Sequence, residues 1–413
     1  MNKSLFFILI ALFVSVRGVM ELVTLPEAAQ KDGAVCLDGS PAAYYFRAAT
    51  ASADADKWVL FFQGGGWCYK PEDCAARAAT ALGSSARMPA TLAIGGPLAE
   101  DAAENPDFAS WNHVVFAYCD GASFTGTADE PDEVDGRKVY YRGFRNFEAV
   151  LADLLARRGL RKATQVLLSG DSAGGLAAFV HADHVAERLP ATVQRYKVAP
   201  LSGLFLNHRN VADEPVYEQQ IQRVFLMQNS SSGVDVHCLV SKSPRYMHLC
   251  MFGAETIGHT SAPVFVVNSV YDKWSLRCIL TAEPVDAASA QNGNCTAAPG
   301  WAKCINHEAC AADQWAALNT QWGDDFREML AANRGFHNPG NGVFAHSCYL
   351  HNAEITGHWN KVTVNGVSIR KALGLWFFSN NDPAEKHTYV DCTLDGNFHC
   401  NPSCDRSEER RVG

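Results

Sequence analysis

Four short runs along the chain are apolar almost without interruption, and each stops at small or polar residues. Lys57-Trp58-Val59-Leu60-Phe61-Phe62 stops at Gln63-Gly64-Gly65-Gly66, and His113-Val114-Val115-Phe116-Ala117-Tyr118 at Cys119-Asp120-Gly121. Thr164-Gln165-Val166-Leu167-Leu168 stops at Ser169-Gly170, and Pro263-Val264-Phe265-Val266-Val267-Asn268 at Ser269. Runs of this length between turn residues predict strands buried on both faces. Cys36 to Arg47 predicts a further strand region, and Phe344 to Leu350 a short strand leading to His351. Phe144, Phe147, Val150, Leu151, Leu154 and Leu155 recur at helical spacing until Gly159. Trp315 to Leu330 and Ser368 to Phe378 predict two more helices, with a loop over 335–342. Residues 204–260 are less regular and read as an insertion over the top of the sheet. The alternation of strand, loop and helix predicts an α/β fold with a mostly parallel central sheet and crossover helices. No internal repeat or low-complexity linker breaks the pattern, so the expectation is one elaborated domain over residues 21–413.

The remaining apolar run, Leu5 to Val14, follows Lys3 and is too short for a comfortable membrane span. It reads as the core of a secretory signal over residues 1–20, with cleavage near Gly18 to Met20. No later stretch has the length to cross a bilayer, so stable membrane insertion is not expected. All 14 cysteines lie beyond this leader, which predicts export to an oxidising, extracellular or cell-wall setting with most thiols paired. Cys68 and Cys74 are close enough to staple one loop, 278–310 holds four cysteines in a stapled surface loop, and Cys392, Cys400 and Cys404 staple the tail. Asn229 and Asn294 open sequons. The net charge of -9 becomes about -11 without the leader, which carries Lys3 and Arg17. With no basic stripe before the short tail at Arg406, nucleic acid is excluded as a partner.

Candidate chemistry centres on Gly170-Asp171-Ser172-Ala173-Gly174. A strand precedes it and a helix start follows at Gly175 to Val180, the setting of a nucleophile elbow. A serine hydroxyl is a weak nucleophile until a histidine takes its proton and a carboxylate orients that histidine. Asp272 ends a clear buried strand, which favours it as the acid. His337, His346, His351 and His358 all fall late enough to be the base, and order alone leaves His346 and His351 as rivals. If 344–350 is a strand, His346 lies inside it and His351 at its end, where catalytic loops begin. Gly64-Gly65-Gly66-Trp67 after a strand suits an oxyanion loop; a phosphate loop would need a following Gly-Lys-Ser/Thr, which is absent. His181 and His184 flank Asp183 without a third ligand at metal spacing, so a packed or solvated helix face is the better reading and no metal is expected.

Several long motifs occur in order: Gln63-Gly64-Gly65-Gly66-Trp67-Cys68, Tyr118 to Gly126, Ser169 to Gly175, Asn268 to Asp272, Ala372 to Phe378 and Asn401-Pro402-Ser403-Cys404. Together they resemble the pectin acetylesterase family, whose animal branch is the Notum carboxylesterases. The resemblance spans roughly residues 30 to 405. It implies an α/β-hydrolase fold without a cofactor, with the nucleophile at Ser172, the acid at Asp272 and the base at His351. It also implies oxyanion donors at the backbone N–H groups of Gly66, Trp67 and Ala173. Two positions depart from the family pattern: plant members often have cysteine where this chain has Asp171, and the residue before the glycines is commonly glutamate where this chain has Gln63. Hormone-sensitive-lipase-like esterases share Gly-Asp-Ser-Ala-Gly-Gly but carry histidine before their glycines. The implied function is a secreted serine esterase acting on an acylated polysaccharide such as pectin, or on an acylated protein as in the animal branch. A non-catalytic binding protein on the same fold is the contrasting reading.

Overall fold

The computed structural model describes residues 19–283, 295–306, 310–381, 385, 387–391 and 400–404. The expected leader up to Gly18, together with Asn294 and Cys392, lies outside the described residues.

Among the described residues ten strands form the main sheet: β1 Met20–Thr24, β2 Ala43–Arg47, β3 Lys57–Phe62, β4 Thr91–Leu92, β5 Asn112–Phe116, β6 Gln165–Asp171, β7 Arg195–Leu201, β8 Phe265–Ser269, β9 Gly342–His346 and β10 His387–Val390. Their spatial order is β10-β9-β8-β7-β6-β3-β5-β2-β1-β4. From β10 to β5 every neighbouring pair is parallel. The strands β2, β1 and β4 continue the sheet antiparallel at one edge. The mostly parallel sheet agrees with the sequence expectation and with the α/β-hydrolase arrangement.

The uninterrupted apolar runs follow from burial on both faces. Along β3, Trp58, Leu60 and Phe62 enter one core while Val59 and Phe61 enter the other. Along β6, Val166 and Leu168 join the first core and Leu167 the second. The first core packs on helix α1 (Gly143–Asp153) through Phe147, Val150 and Leu151, and on helix α2 (Ala173–Val180) through Leu176 and Phe179. A π turn over Leu154–Arg158 extends α1, and Gly159 at φ 95° ends it. The helix α3 (Val216–Met227) belongs to the 204–260 insertion and adds Tyr217, Ile221 and Val224 to the same core. The second core packs on helix α4 (Ile369–Phe378) through Leu373, Trp376 and Phe377. Ser368 caps α4 by accepting the Lys371 N–H at 3.3 Å. Each fully buried Leu or Phe contributes about 1.5–3 kcal/mol to this assembly.

Disulfides pair Cys36–Cys119, Cys68–Cys74, Cys238–Cys250, Cys278–Cys295, Cys304–Cys310 and Cys348–Cys404. Cys400 is also disulfide-bonded, and no cysteine among the described residues is free. Among the described residues no helix is long and apolar enough to cross a membrane.

The strand leading to His351 is shorter than expected. It ends at His346, not at Leu350. The Ser347 N–H turns to the Asp391 carboxylate at 3.1 Å, and Cys348 is pulled into its bridge with Cys404. These partners take the backbone out of the ladder and let residues 347–351 cross the end of the sheet.

Candidate active site

Because the central strands are parallel, the loops after β3, β5, β6, β8 and β9 share the C-terminal end of the sheet, where ligand crevices of open α/β sheets form. Ser172 follows β6 directly and has φ 55° and ψ −124°, a conformation that costs a non-glycine residue about 1–3 kcal/mol. Its N–H is held by the Leu201 carbonyl at 3.0 Å. The flanking glycines make the turn possible. A Cβ at Gly174 would collide with the Phe62 and Gln63 backbone, and one at Gly170 with the Gly174 carbonyl. With Ser172 as the cap residue, α2 starts at Ala173, two residues earlier than the sequence suggested.

The structure brings Ser172, His351 and Asp272 together. The Ser172 Oγ lies 2.9 Å from His351 Nε2, and His351 Nδ1 lies 2.7 Å from Asp272 Oδ2. The Asp272 side chain is 1% exposed, and its Oδ1 accepts the Ser275 N–H at 2.8 Å. Both acid oxygens are therefore fixed, which fixes the imidazole plane. Burial pushes the His351 imidazole towards its neutral form. The Asp272 charge and hydrogen bond, with the Glu354 and Asp171 charges behind, outweigh that and raise its pKa above 6.5. Of the rival histidines, His346 sits at the end of β9, fully buried, with burial pushing it down to about 4. His337 reaches the Ala331 carbonyl at 3.0 Å, and His358 the Thr356 hydroxyl at 2.9 Å.

Gly66 and Trp67 lie in the loop after β3, with Gly66 at φ 63°. Among the described residues no protein acceptor takes their N–H groups. Ala173 is the first residue of α2. The loop is stitched to the elbow: Trp67 Nε1 donates to Ser123 Oγ at 2.8 Å, and that hydroxyl donates to the Ala173 carbonyl at 2.7 Å. The Tyr118 hydroxyl donates to the Gly66 carbonyl at 2.7 Å. Ser123 and Phe124 adopt positive φ in the polar loop after β5.

Three polar residues at the site, Ser202, Asn352 and Glu354, were not singled out from sequence, and Asp171 was noted there only as a departure from the family pattern. Asp171 accepts the Gly64 N–H at 3.0 Å on one oxygen and Asn352 Nδ2 at 3.2 Å on the other. Glu354 is fully buried, and Ser202 Oγ donates to it at 2.9 Å while accepting the Asn352 N–H at 3.1 Å. Burial pushes Glu354 up to about 7 and Asp171 up to about 6. The signal available in sequence was the position of Asp171 beside the serine, and of Asn352 and Glu354 just after the histidine.

Aromatic rings wall the site. Trp67 meets Phe205 at 5.1 Å, Trp274 at 5.4 Å and Tyr217 at 6.1 Å between centroids. Phe205 and Trp274 each stand 6.5 Å from the His351 ring. Tyr217 comes from α3, so the 204–260 insertion closes over the site. His181 is packed among Phe62, Phe144 and Phe147, and His184 meets Glu148 at 2.6 Å. Asp183 accepts the Ser261 N–H at 2.8 Å. Among the described residues no group of three or more His, Cys, Asp or Glu is placed to hold a metal ion.

Comparison with known proteins finds likeness over nearly the whole chain. The sequence model of the family described as Pectinacetylesterase matches residues 15–405. Pectin acetylesterase 5 of Arabidopsis thaliana is 34% identical over 387 residues, covering 92% of this chain and 84% of that protein. Pectin acetylesterase 11 of the same plant is 32% identical, covering 97% of both chains. The palmitoleoyl-protein carboxylesterase NOTUM of Mus musculus is 28% identical over 404 residues, covering 92% of this chain and 71% of that protein. The chain belongs to the pectin acetylesterase family of carboxylic-ester hydrolases.

Proposed function

We propose that this chain is a secreted serine carboxylesterase that removes acetyl groups from pectin or a similar polysaccharide. The observation that carries this reading is the unbroken hydrogen-bond line from Ser172 Oγ through His351 to Asp272. His351 Nε2 takes the hydroxyl proton as Ser172 attacks the ester carbonyl. The N–H groups of Gly66, Trp67 and Ala173 face the oxyanion that forms. His351 then gives the proton to the sugar oxygen as its bond to the acyl carbon breaks, and the same steps with water release acetate from the acyl-enzyme.

The likeness to the pectin acetylesterases of Arabidopsis thaliana supports acetyl as the acyl group. The likeness to NOTUM supports a second reading, removal of a longer acyl group from a protein. Paired cysteines support an oxidising compartment, and we read residues 1–20 as the leader and 21–413 as one hydrolase domain.

The test compares p-nitrophenyl acetate, p-nitrophenyl octanoate and acetylated pectin. The wild-type protein hydrolyses the acetate ester and releases acetate from pectin, and Ser172→Ala loses nearly all turnover while folding normally. Octanoate cleavage at a comparable rate supports the longer acyl group. A folded wild-type protein that cleaves none of the three is a binding protein, and this proposal fails.

A further inference from the structure

We propose that Asp171 is a positioning residue whose carboxylate holds the oxyanion loop and the base loop in register with the nucleophile. The proposal rests on the hydrolase reading of Ser172 and asks what keeps its three loops together. Asp171 immediately precedes the serine, so its backbone moves with the elbow. One carboxylate oxygen takes the N–H of Gly64, which opens the loop carrying Gly66 and Trp67. The other takes the side-chain amide of Asn352, the residue after His351. One buried group, 6% exposed, thus touches all three segments that must agree to within a fraction of an ångström.

The fit is tight. A Cβ on Gly64 would lie 2.7 Å from Asp171 Oδ2 and 2.9 Å from Ser172 Cβ. The geometry needs acceptors on both sides, because both partners are donors, and only a carboxylate offers two. The charge also reaches the base. Asp272, Glu354 and Asp171 are the charged groups that raise His351, which is otherwise faced by the rings of Phe205 and Trp274.

Asp171→Asn keeps one acceptor for Gly64 but removes the charge and presents an NH2 to Asn352, whose amide must turn its unpartnered Oδ1 round to bond it. The expected result is a fall in kcat of about ten- to a hundredfold with little change in KM. The acid limb of kcat/KM shifts to lower pH, since one anion no longer supports the imidazolium. Asn352→Ala, at a half-buried position, removes the base-loop tie but also strains a backbone held at φ 62°, so Asn352→Gly is assayed beside it, and both lower kcat in the same direction. The exchange variant Asp171→Asn with Asn352→Asp rebuilds the second bond with donor and acceptor reversed, and regains at least about tenfold in kcat over Asp171→Asn alone. Circular dichroism checks folding, and Asn352→Ala carries the test if Asp171→Asn does not fold. An Asp171→Asn enzyme with wild-type kcat and an unmoved acid limb overturns the proposal, as does an unchanged Asn352→Ala. Ser172→Ala is assayed alongside. If it retains turnover, the hydrolase reading itself falls; if it is inactive while Asp171→Asn is fully active, only the role of Asp171 falls.

Discussion

At the scale of single residues, the proposed esterase transfers its proton through His351, while His346 stays in the sheet. His351→Ala lowers kcat by several powers of ten, close to the loss in Ser172→Ala, because nucleophile and base act as a unit. His346→Ala keeps most of its turnover and loses stability, which steady-state kinetics and thermal melting separate. The pH dependence follows from the same imidazole. The base works unprotonated, and the surrounding carboxylates raise its pKa, so kcat/KM falls on acidification with a midpoint above 6.5. Asp272→Asn moves that midpoint down and cuts kcat. The strand–turn–helix setting of Ser172 was legible in sequence because its motif sits between an apolar run and a helix start. The partners of Asp171 were not, because Gly64 and Asn352 lie 107 and 181 positions away and no local pattern joins them.

At the scale of elements, the central strands were readable because burial on both faces forces unbroken apolar runs. The expected strand over Lys57 to Phe62 coincides with β3. The end of β9 was harder to read, because Cys348 and Tyr349 are apolar enough to continue a strand. Only the distant Asp391 and Cys404 explain why it stops at His346. The disulfide pairings were illegible beyond Cys68–Cys74 for the same reason, since Cys36 and Cys119 are separated by 83 residues. The Cys348–Cys404 bridge anchors the segment that carries His351 three residues further on. Replacing both cysteines with alanine costs about 2–4 kcal/mol of stability by chemical denaturation. The same variant loses kcat more than it gains KM, because the loop bearing His351 is loosened while the aromatic wall from Trp67 and Phe205 stays.

At the scale of the whole molecule, the fold buries neutral histidines that an unfolded chain would charge. Burial pushes both His113 and His181 down to about 3, with Arg47 and His184 adding to the effect. Their folded-state pKa lies below the unfolded value, so the stability they allow is complete above pH 6.5 and is withdrawn as pH falls towards 3. Each unit of pH below 6.5 removes about 1.4 kcal/mol per histidine. Burial raises Asp120 and Asp171 to about 6 and Glu354 to about 7, which acts in the opposite sense: their contribution is present at low pH and lost as pH rises through those values. His181→Phe removes one of the opposing terms. Its melting temperature, measured from pH 7 to pH 5, should rise relative to wild type by the equivalent of about 2 kcal/mol. Equal pH profiles for the two proteins would show that His181 takes up its proton in the fold as readily as in the unfolded chain. The central claim, that one serine in the whole chain is the nucleophile, is tested most directly by intact-mass analysis after treatment with a fluorophosphonate. The account predicts one adduct per molecule, mapped to Ser172, with parallel loss of esterase activity and no adduct on Ser172→Ala. Full activity without an adduct, or an adduct on any other residue, would contradict it.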